Sequence, residues 1–383
     1  MTLTVRPVED NADKKAFVDL AYTLNRSDPN WVPPLKSEVH GLITPGDNPW
    51  FEHAEAELFI AERNGEPVGR ISAQVDQLVL EHMGAGTGQW GMFEAADEEA
   101  ARILLRTAEG WLRAKGMTRA IGPFSLSIWD EPGLLVKGHD HPPVVMMGHH
   151  QAVYEAWVEG AGHRGIKDLL TYALAPGKPL PPIVERIVQS GKKNARVRLR
   201  KVDKSRFDEE AAILLGILND AWSSNWGYIP LTESEIGYAG KKLKPIVLED
   251  LILVAEHDAG DGAGFVPVAF MMAVPDVNEF IRDLNGSLFP FGWAKLLWRL
   301  RRMRPRAGRV ALMGVVKRLH GSRLASQLAF MMIEQIRQNG VDRYGITRCE
   351  LGWVLDDNGP MNAIAAAVGS EVNRVYRIYE KAL

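Results

Sequence analysis

Apolar residues recur along this chain with two periods, and the switches between them mark out the elements. Residues 3–7 read as a short strand and residues 13–25 as a helix. Residues 28–34, DPNWVPP, carry three prolines and must be irregular. Runs at 57–63 and 67–76 flank Asn64–Gly65, a dipeptide suited to the turn of a tight hairpin. A strand starts at 91–93. A helix over 98–115 puts Ile103, Leu104, Ala108, Trp111 and Leu112 on one face. A strand at 119–123, a helix at 151–160 and a strand at 169–174 complete the first half.

After a Pro/Gly-rich stretch, APGKPLPP at 175–182, the same order returns. It gives a strand at 196–201, a helix at 207–222, a hairpin of 251–257 with 266–274, and a strand at 310–316 followed by a helix. A strand at 344–353, a helix at 359–368 and a strand at 374–381 close the chain. The endings agree in register. Gly162 and Tyr172 recur as Gly369 and Tyr379, at a constant offset of 207 residues. Shared order and shared register together indicate internal duplication. Two units are expected, 1–175 and 195–383, joined by a linker at 176–194, with an insertion at about 279–307 in the second.

The stretch 310–340 carries the strongest chemical signal. VALMGVV at 310–316 is short, apolar and β-branched, as in a buried strand. KRLHGSR follows, and Leu324, Leu328, Met331 or Met332 and Ile336 then line one helical face up to Gly340. The first turn of a helix has unpaired N–H groups and a positive dipole end. Lys317, Arg318 and Arg323 add charge, Gly321 leaves room, and Ser322 stands at the helix start. Two readings stay open at this level: a pyrophosphate-binding turn, or an ordinary strand–helix connection with solvated basic residues. No G-K-[S/T] follows, so the turn is not a Walker loop. At the matching place the first half has EAADEE, 94–99, whose carboxylates suit a helix N-terminus but repel a pyrophosphate.

Composition narrows the classes. The 383 residues are 46% hydrophobic and 24% charged with a net charge of −3, which gives no global case for nucleic acid. A single cysteine, Cys349, precludes an intrachain disulfide and fits a reducing cytoplasm. The N-terminus lacks the apolar core of a signal peptide, and no apolar run has the length of a membrane span. A cytoplasmic protein is expected, with peripheral contact at the inner membrane face as an option. Residues 122–150 form a long segment with few periodic signals, a feature of functional or disordered loops. His139, His141, His149 and His150 lie there with Asp130, Glu131 and Asp140, but the spacing matches no standard zinc pattern. They are read as ordinary loop histidines, and no metal is expected.

The insertion includes LFPFGWAKLLWRLRRMRPR at 288–306. Trp293, Leu296, Leu297, Leu300 and Met303 share one face, and Lys295, Arg299, Arg301, Arg302, Arg304 and Arg306 cover much of the rest. Three readings are open: a membrane-surface helix, the roof of a channel for an acyl chain, and a core-packing helix with a solvated basic face.

The turn at 317–323 resembles motif A of the GNAT acyltransferase superfamily, strand–[Q/R]-x-x-G-x-[G/A]–helix. Arg318 and Gly321 match it, and Arg323 stands where the last Gly or Ala would be. The resemblance implies an α/β (α+β) fold of two tandem GNAT-like domains, each a mixed, mostly antiparallel central sheet flanked by helices, the first degenerate. It implies acyl-CoA as co-substrate, held at Val315, Val316, Lys317, Arg318, Gly321, Ser322 and Arg323. The N–H groups of Val315 and Val316 would polarise the thioester carbonyl. Asn358 opens a motif B-like segment, and Ala365 occupies the position of a Tyr that often protonates the leaving thiolate. Tyr376 and Tyr379 are the substitutes, against packing in a terminal strand, and departure of the thiolate without help is the alternative. Glu350, in the strand that should flank the cleft, is the first choice of base, against a pairing with Arg348 or another Arg.

A wider likeness covers nearly the whole chain. DPNWVPPL (28–35), FEHAEAELFIAERNGEPVGRISAQVD (51–76), GPFSLSIWDEPGLLV (122–136), NDAWSSNWGYIP (219–230) and the tail RVYRIYEKAL resemble the bacterial ceramide synthase-like family. This implies transfer of a fatty acyl group to the amine of a long-chain base such as sphinganine or its 3-keto form. Asn219, Trp222, Trp226 and Tyr228 fall where GNAT enzymes build the acceptor site. The partners implied are acyl-CoA and a lipid amine, with 288–306 as a membrane contact and no nucleic acid. An N-acetyltransferase for a small or peptidyl amine, and a non-catalytic CoA- or lipid-binding module, are the alternatives.

Overall fold

The computed structural model describes residues 2–383. The strands of the first half are β1 (Leu3–Pro7), β2 (Ala54–Arg63), β3 (Glu66–Asp76), β4 (Thr87–Ala95), β5 (Arg119–Gly122), β6 (Leu134–Lys137) and β7 (Arg164–Leu174). Those of the second are β8 (Val197–Lys201), β9 (Ile252–Asp258), β10 (Phe265–Pro275), β11 (Ala307–Val315), β12 (Arg348–Leu355) and β13 (Glu371–Ala382). All belong to one mixed sheet of order β1-β2-β3-β4-β5-β13-β7-β12-β11-β10-β9-β8, with β6 pairing beside β13. Pairing is antiparallel except at β4–β5 and β11–β12. Helices flank both halves. Glu98–Ala114 buries Leu104, Leu105, Ala108 and Leu112, and Arg323–Asn339 buries Leu328, Met332 and Ile336. Full burial of each such Leu is worth about 1.5–3 kcal/mol.

The sheet joins the two halves by exchange of their last strands. β13, from the second half, pairs with β5 of the first, and β7, from the first, pairs with β12 of the second. The exchanged strands also pair with each other. Gly165 faces Tyr379 and Tyr172 faces Val372, two pairs that the 207-residue offset interchanges. Tyr172 packs with Val354 and Ala365 and donates a hydrogen bond to Asn362 Oδ1 (2.9 Å). Tyr379 packs with Tyr154 and Val158 in the core of the first half. Each duplicated tyrosine therefore serves the other half, and the pairing crosses the boundary expected at 176–194.

Part of that stretch is not a linker. Pro182–Lys192 is a helix, with proline in its first turn and Val184 and Val188 buried one turn apart. Gly191 brings it close to Met331 of the long second-half helix, and Gln327 Nε2 donates to Ser190 Oγ (3.2 Å). Two boundaries also move. β4 starts at Thr87 rather than 91, and β12 starts at Arg348 because Gly340–Tyr344 continues the preceding helix as a π turn.

Candidate active site

β11 and β12 pair in parallel only over Ala307–Val310 and Arg348–Leu351, and then part. The gap is a narrow slot of about 40 Å³, lined by Ala311, Leu312, Met313, Trp353, Leu355 and Asn358 among others. Arg309 sits at the fork. Its Nε donates to Gly352 O (2.9 Å), and its Nη1 donates to Val145 O (3.0 Å) and Met146 O (3.1 Å) of the first half. Burial pulls its pKa down to about 10, which leaves it charged at neutral pH. Asp276 fastens the same loop by accepting the Val145 N–H (2.9 Å), and burial pushes its carboxyl up to about 7.

The slot opens into a cavity of about 750 Å³ between the halves. Trp222, Ala311, Leu312 and Trp353 line both spaces. Trp222 Nε1 donates to Met313 O (3.0 Å), which fixes the indole against β11. Trp129 of the first half stacks on it, with ring centroids 6.2 Å apart and planes 9° from parallel. The walls are largely apolar, with Met92 and Val145 from the first half and Val247, Phe270 and Met272 from the second. The volume falls within the range of small-molecule sites, about 300–1,000 Å³.

At the outer end of the slot a 3₁₀ turn, Lys317–Leu319, leads into the helix Arg323–Asn339. Ser322 caps that helix by accepting the Ala325 N–H (3.1 Å). The N–H groups of Arg323 and Leu324 stand in its first turn, where no helical carbonyl reaches them. Gly321 has φ +72° and open space where a side chain would lie. Arg318 and Arg323 are exposed, and among the described residues neither has a carboxylate partner. Lys317 is engaged, its N–H donating to Asp220 Oδ2 (2.6 Å) and its Nζ to Ser223 Oγ (2.7 Å).

One expected role has to be corrected. The Val316 N–H donates to Val268 O (2.9 Å), because the ladder to β10 runs one residue past Val315. It is not free to polarise a thioester. Other expected residues scatter. Asn358 lines the slot and caps its helix by accepting the Met361 N–H (3.2 Å). Trp222 stands at the junction of slot and cavity. Asn219 accepts a hydrogen bond from the Tyr228 hydroxyl, and Tyr228 meets Trp129 edge-on at 6.0 Å. Trp226 packs on the cluster that holds Ile229, Leu355 and Ile378. Asn219, Trp226 and Tyr228 are not among the residues lining either space. Nor is Tyr379, whose hydroxyl is buried in the first-half core. Glu350 lies behind the fork beside Cys349, with a buried Oε2 that has no partner among the described residues.

The long segment 122–150 contributes two carboxyl groups to the cavity, Asp130 and Glu131. Asp130 accepts from Ser127 Oγ (2.9 Å), and burial pushes it up to about 6. Glu131 lines the cavity, and its side chain keeps contact with solvent. Burial, and then the charge of Asp130, push it up to about 7. His149 and His150 of the same segment also line the cavity. His149 Nε2 meets Asp28 Oδ2 (3.0 Å), and His150 Nδ1 accepts the Leu135 N–H (3.1 Å) while burial holds its pKa near about 3. Among the described residues no group of three His, Cys, Asp or Glu is placed to hold a metal ion. The helix Glu233–Leu243, with Ile236 and Leu243 on the cavity, was also missed. Its signal was the T-x-x-E capping box of Thr232 and Glu235.

A parallel strand pair that splays beside a basic helix N-terminus, in a largely antiparallel sheet built twice, defines a tandem GNAT-fold acyltransferase. The fold is shared with a tandem GNAT protein from the clavulanic acid biosynthesis pathway, at TM-score 0.57 and 14% identity over all of this chain and 98% of that one. It is shared too with a GCN5-related N-acetyltransferase from Sphaerobacter thermophilus, at TM-score 0.52 and 14% identity over 99% of this chain and 95% of that one. No family model matches the sequence. The chain is 45% identical over 383 residues, all of it and 98% of the relative, to the bacterial ceramide synthase of Caulobacter vibrioides (strain NA1000 / CB15N). It is 39% identical over 379 residues, 98% of it and 95% of the relative, to protein YghO of Escherichia coli (strain K12). The chain belongs to the bacterial ceramide synthase-like family, and it is an N-acyltransferase.

Proposed function

We propose that the protein transfers a fatty acyl group from acyl-CoA to the amine of a long-chain base, giving a ceramide-type lipid. The observation that carries this reading is the opening of the slot into an apolar cavity of about 750 Å³. Acetyl transfer needs no such space. The pyrophosphate lies on the N–H groups around Gly321 and the helix start, with Arg318 and Arg323 beside it. The pantetheine arm runs along β11 between Met313 and Asn358. The thioester then sits by Trp222 and Trp353, with the acyl chain and the lipid amine in the cavity.

The ammonium of the acceptor must lose a proton before its nitrogen attacks the thioester carbon. The tetrahedral adduct gives up its nitrogen's second proton to water and collapses to an amide as the CoA thiolate leaves. Glu131 is the best-placed base, since it faces the cavity and its pKa is lifted toward neutrality. Glu350 remains the second candidate, at the fork but behind the cavity wall. Tyr379 is too deep in the first half to protonate the thiolate, and a thiolate can leave unassisted.

The test is thiol release from acyl-CoAs of graded chain length, with and without sphinganine. Release that needs sphinganine and rises with chain length supports the proposal. Release confined to acetyl-CoA and polar amines moves the assignment to N-acetyl transfer. CoA binding without turnover on any amine makes the protein a binding module.

A further inference from the structure

Between β10 and β11 the chain forms the helix Gly292–Arg302, and the two sides of this helix face different surroundings. On the inner side Leu296 and Leu300 line the cavity. Leu288 and Leu296 also rest on Val32, Leu35, Ile281 and Leu284. The face expected to be shared is split: on the outer side Trp293, Leu297 and Trp298 are 57%, 43% and 54% exposed, and Phe289 and Phe291 just ahead of the helix are 85% and 78% exposed. Five of the eight large apolar side chains exposed among the described residues thus fall within 289–298, which makes a patch rather than scatter.

The net charge around the patch is positive. Asp283 accepts from Lys295 (2.7 Å) and Arg299 (2.6 Å) and so neutralises part of the cluster. Arg301, Arg302 and Arg304 are exposed and have no carboxylate partner among the described residues. The Arg302 guanidinium lies over the Trp298 ring at 4.2 Å, which keeps charge and aromatic surface side by side. Exposed Phe and Trp beside unpaired arginines fit an interface between hydrocarbon and anionic headgroups. A second copy fits poorly, because two-fold pairing of this face would set Arg301, Arg302 and Arg304 against their own duplicates.

We infer that this helix and the Phe289–Phe291 tip dock on an anionic bilayer surface, and that the helix forms the portal through which the lipid amine enters the cavity. The portal rests on the lipid-amine reading above; the docking does not. With the outer side seated in the headgroups, the inner side presents the cavity to the leaflet. A long-chain base then passes from bilayer to cavity along one helix without exposing its chain to water.

The experiment is co-sedimentation of the full chain with phosphatidylcholine vesicles, with and without phosphatidylglycerol, at low and high salt. Binding is expected to need phosphatidylglycerol and to weaken with salt. It is expected to fall at least about tenfold in a Phe289→Ser, Phe291→Ser, Trp298→Ser variant and in an Arg301→Glu, Arg302→Glu, Arg304→Glu variant, with unchanged thermal melting. No binding by the wild type, or equal binding by the variants, overturns the docking. So does a wild-type dimer in light scattering that these substitutions dissociate. Where transfer occurs, the variants should lose it on vesicle-borne base and keep it on detergent-dispersed base; equal loss on both overturns the portal. If no lipid amine is acylated in either form, the portal falls with the lipid-amine reading and the sedimentation result alone decides the docking.

Discussion

The two halves part their strands at the same place and use the gap differently. In the first half β4 and β5 pair over Thr87–Gln89 and Arg119–Ile121, and the chain after β5 then crosses the opening. The Phe124 N–H donates to Trp90 O (2.9 Å), and Gln74 Nε2 donates to Phe124 O (3.2 Å) and Leu126 O (3.3 Å). A Cβ on Gly91 would lie 1.5 Å from Phe124 O, so this gap is closed by main chain. The helix beyond it starts on Asp97, which accepts the Ala100 N–H (3.0 Å) and is bonded to Arg63 together with Glu99. In the second half the gap is open, and the helix beyond it starts on Ser322 between arginines. One duplicated frame therefore gives a slot with a basic mouth and a filled slot with an acidic mouth. The filled half has become a wall, supplying Trp129, Asp130, Glu131 and the Val145 loop to the cavity.

If the first half supplies the base, Glu131→Gln should lower transfer by about 10²–10⁴-fold with little change in KM for acyl-CoA, measured by steady-state thiol release. The carboxylate is the active form, so wild-type rates should rise as pH passes through about 7, and the variant should lose that rise. Stability runs the other way. A carboxyl held above its ordinary range keeps its proton in the folded chain after the unfolded chain has lost it. Stability therefore falls from the ordinary carboxylate range up to about 7, and Glu131→Gln should remove its share of that fall in a melting series, leaving the shares of Asp130 and Asp276.

Next in size, Ala311→Trp should block the junction of slot and cavity and cut long-chain transfer about 100-fold, with the fold intact by circular dichroism. Phe124→Ala, at the filled gap, should cost about 3–5 kcal/mol in denaturant unfolding and leave KM for acyl-CoA unchanged. Arg318→Glu with Arg323→Glu should raise that KM about 30-fold, as expected for about 2 kcal/mol of charge-assisted contact. Glu98→Gln with Glu99→Gln should leave it within about twofold, since no phosphate meets that helix. Smallest is Tyr172→Phe, which removes one hydrogen bond between the halves and should cost about 1 kcal/mol in unfolding.

The periodic elements were legible in the sequence, because a long amphipathic helix such as Glu98–Ala114 or a hairpin around Asn64–Gly65 is specified by its own residues. The duplication was legible for the same reason. The strand exchange was not, since Tyr172 and Tyr379 look alike whichever half they pack in. The basic turn could be read locally, and of the expected site residues Asn358 lines the slot and Trp222 lines both slot and cavity. Glu131, the proposed base, could not be found that way. Its chemistry comes from a cavity that needs both halves, and a carboxylate pair in an irregular segment carries no period. Val316 was assigned a free N–H that the β10 ladder takes, a register detail no spacing rule encodes.

The central claim is that one half of the duplicated frame binds the cofactor. Calorimetric titration of CoA into the full chain tests it most directly. The account predicts one CoA per chain, with binding weakened about 30-fold in Arg318→Glu, Arg323→Glu and within about twofold of wild type in Glu98→Gln, Glu99→Gln. Two CoA per chain, or an affinity unchanged by reversal of Arg318 and Arg323, would contradict it.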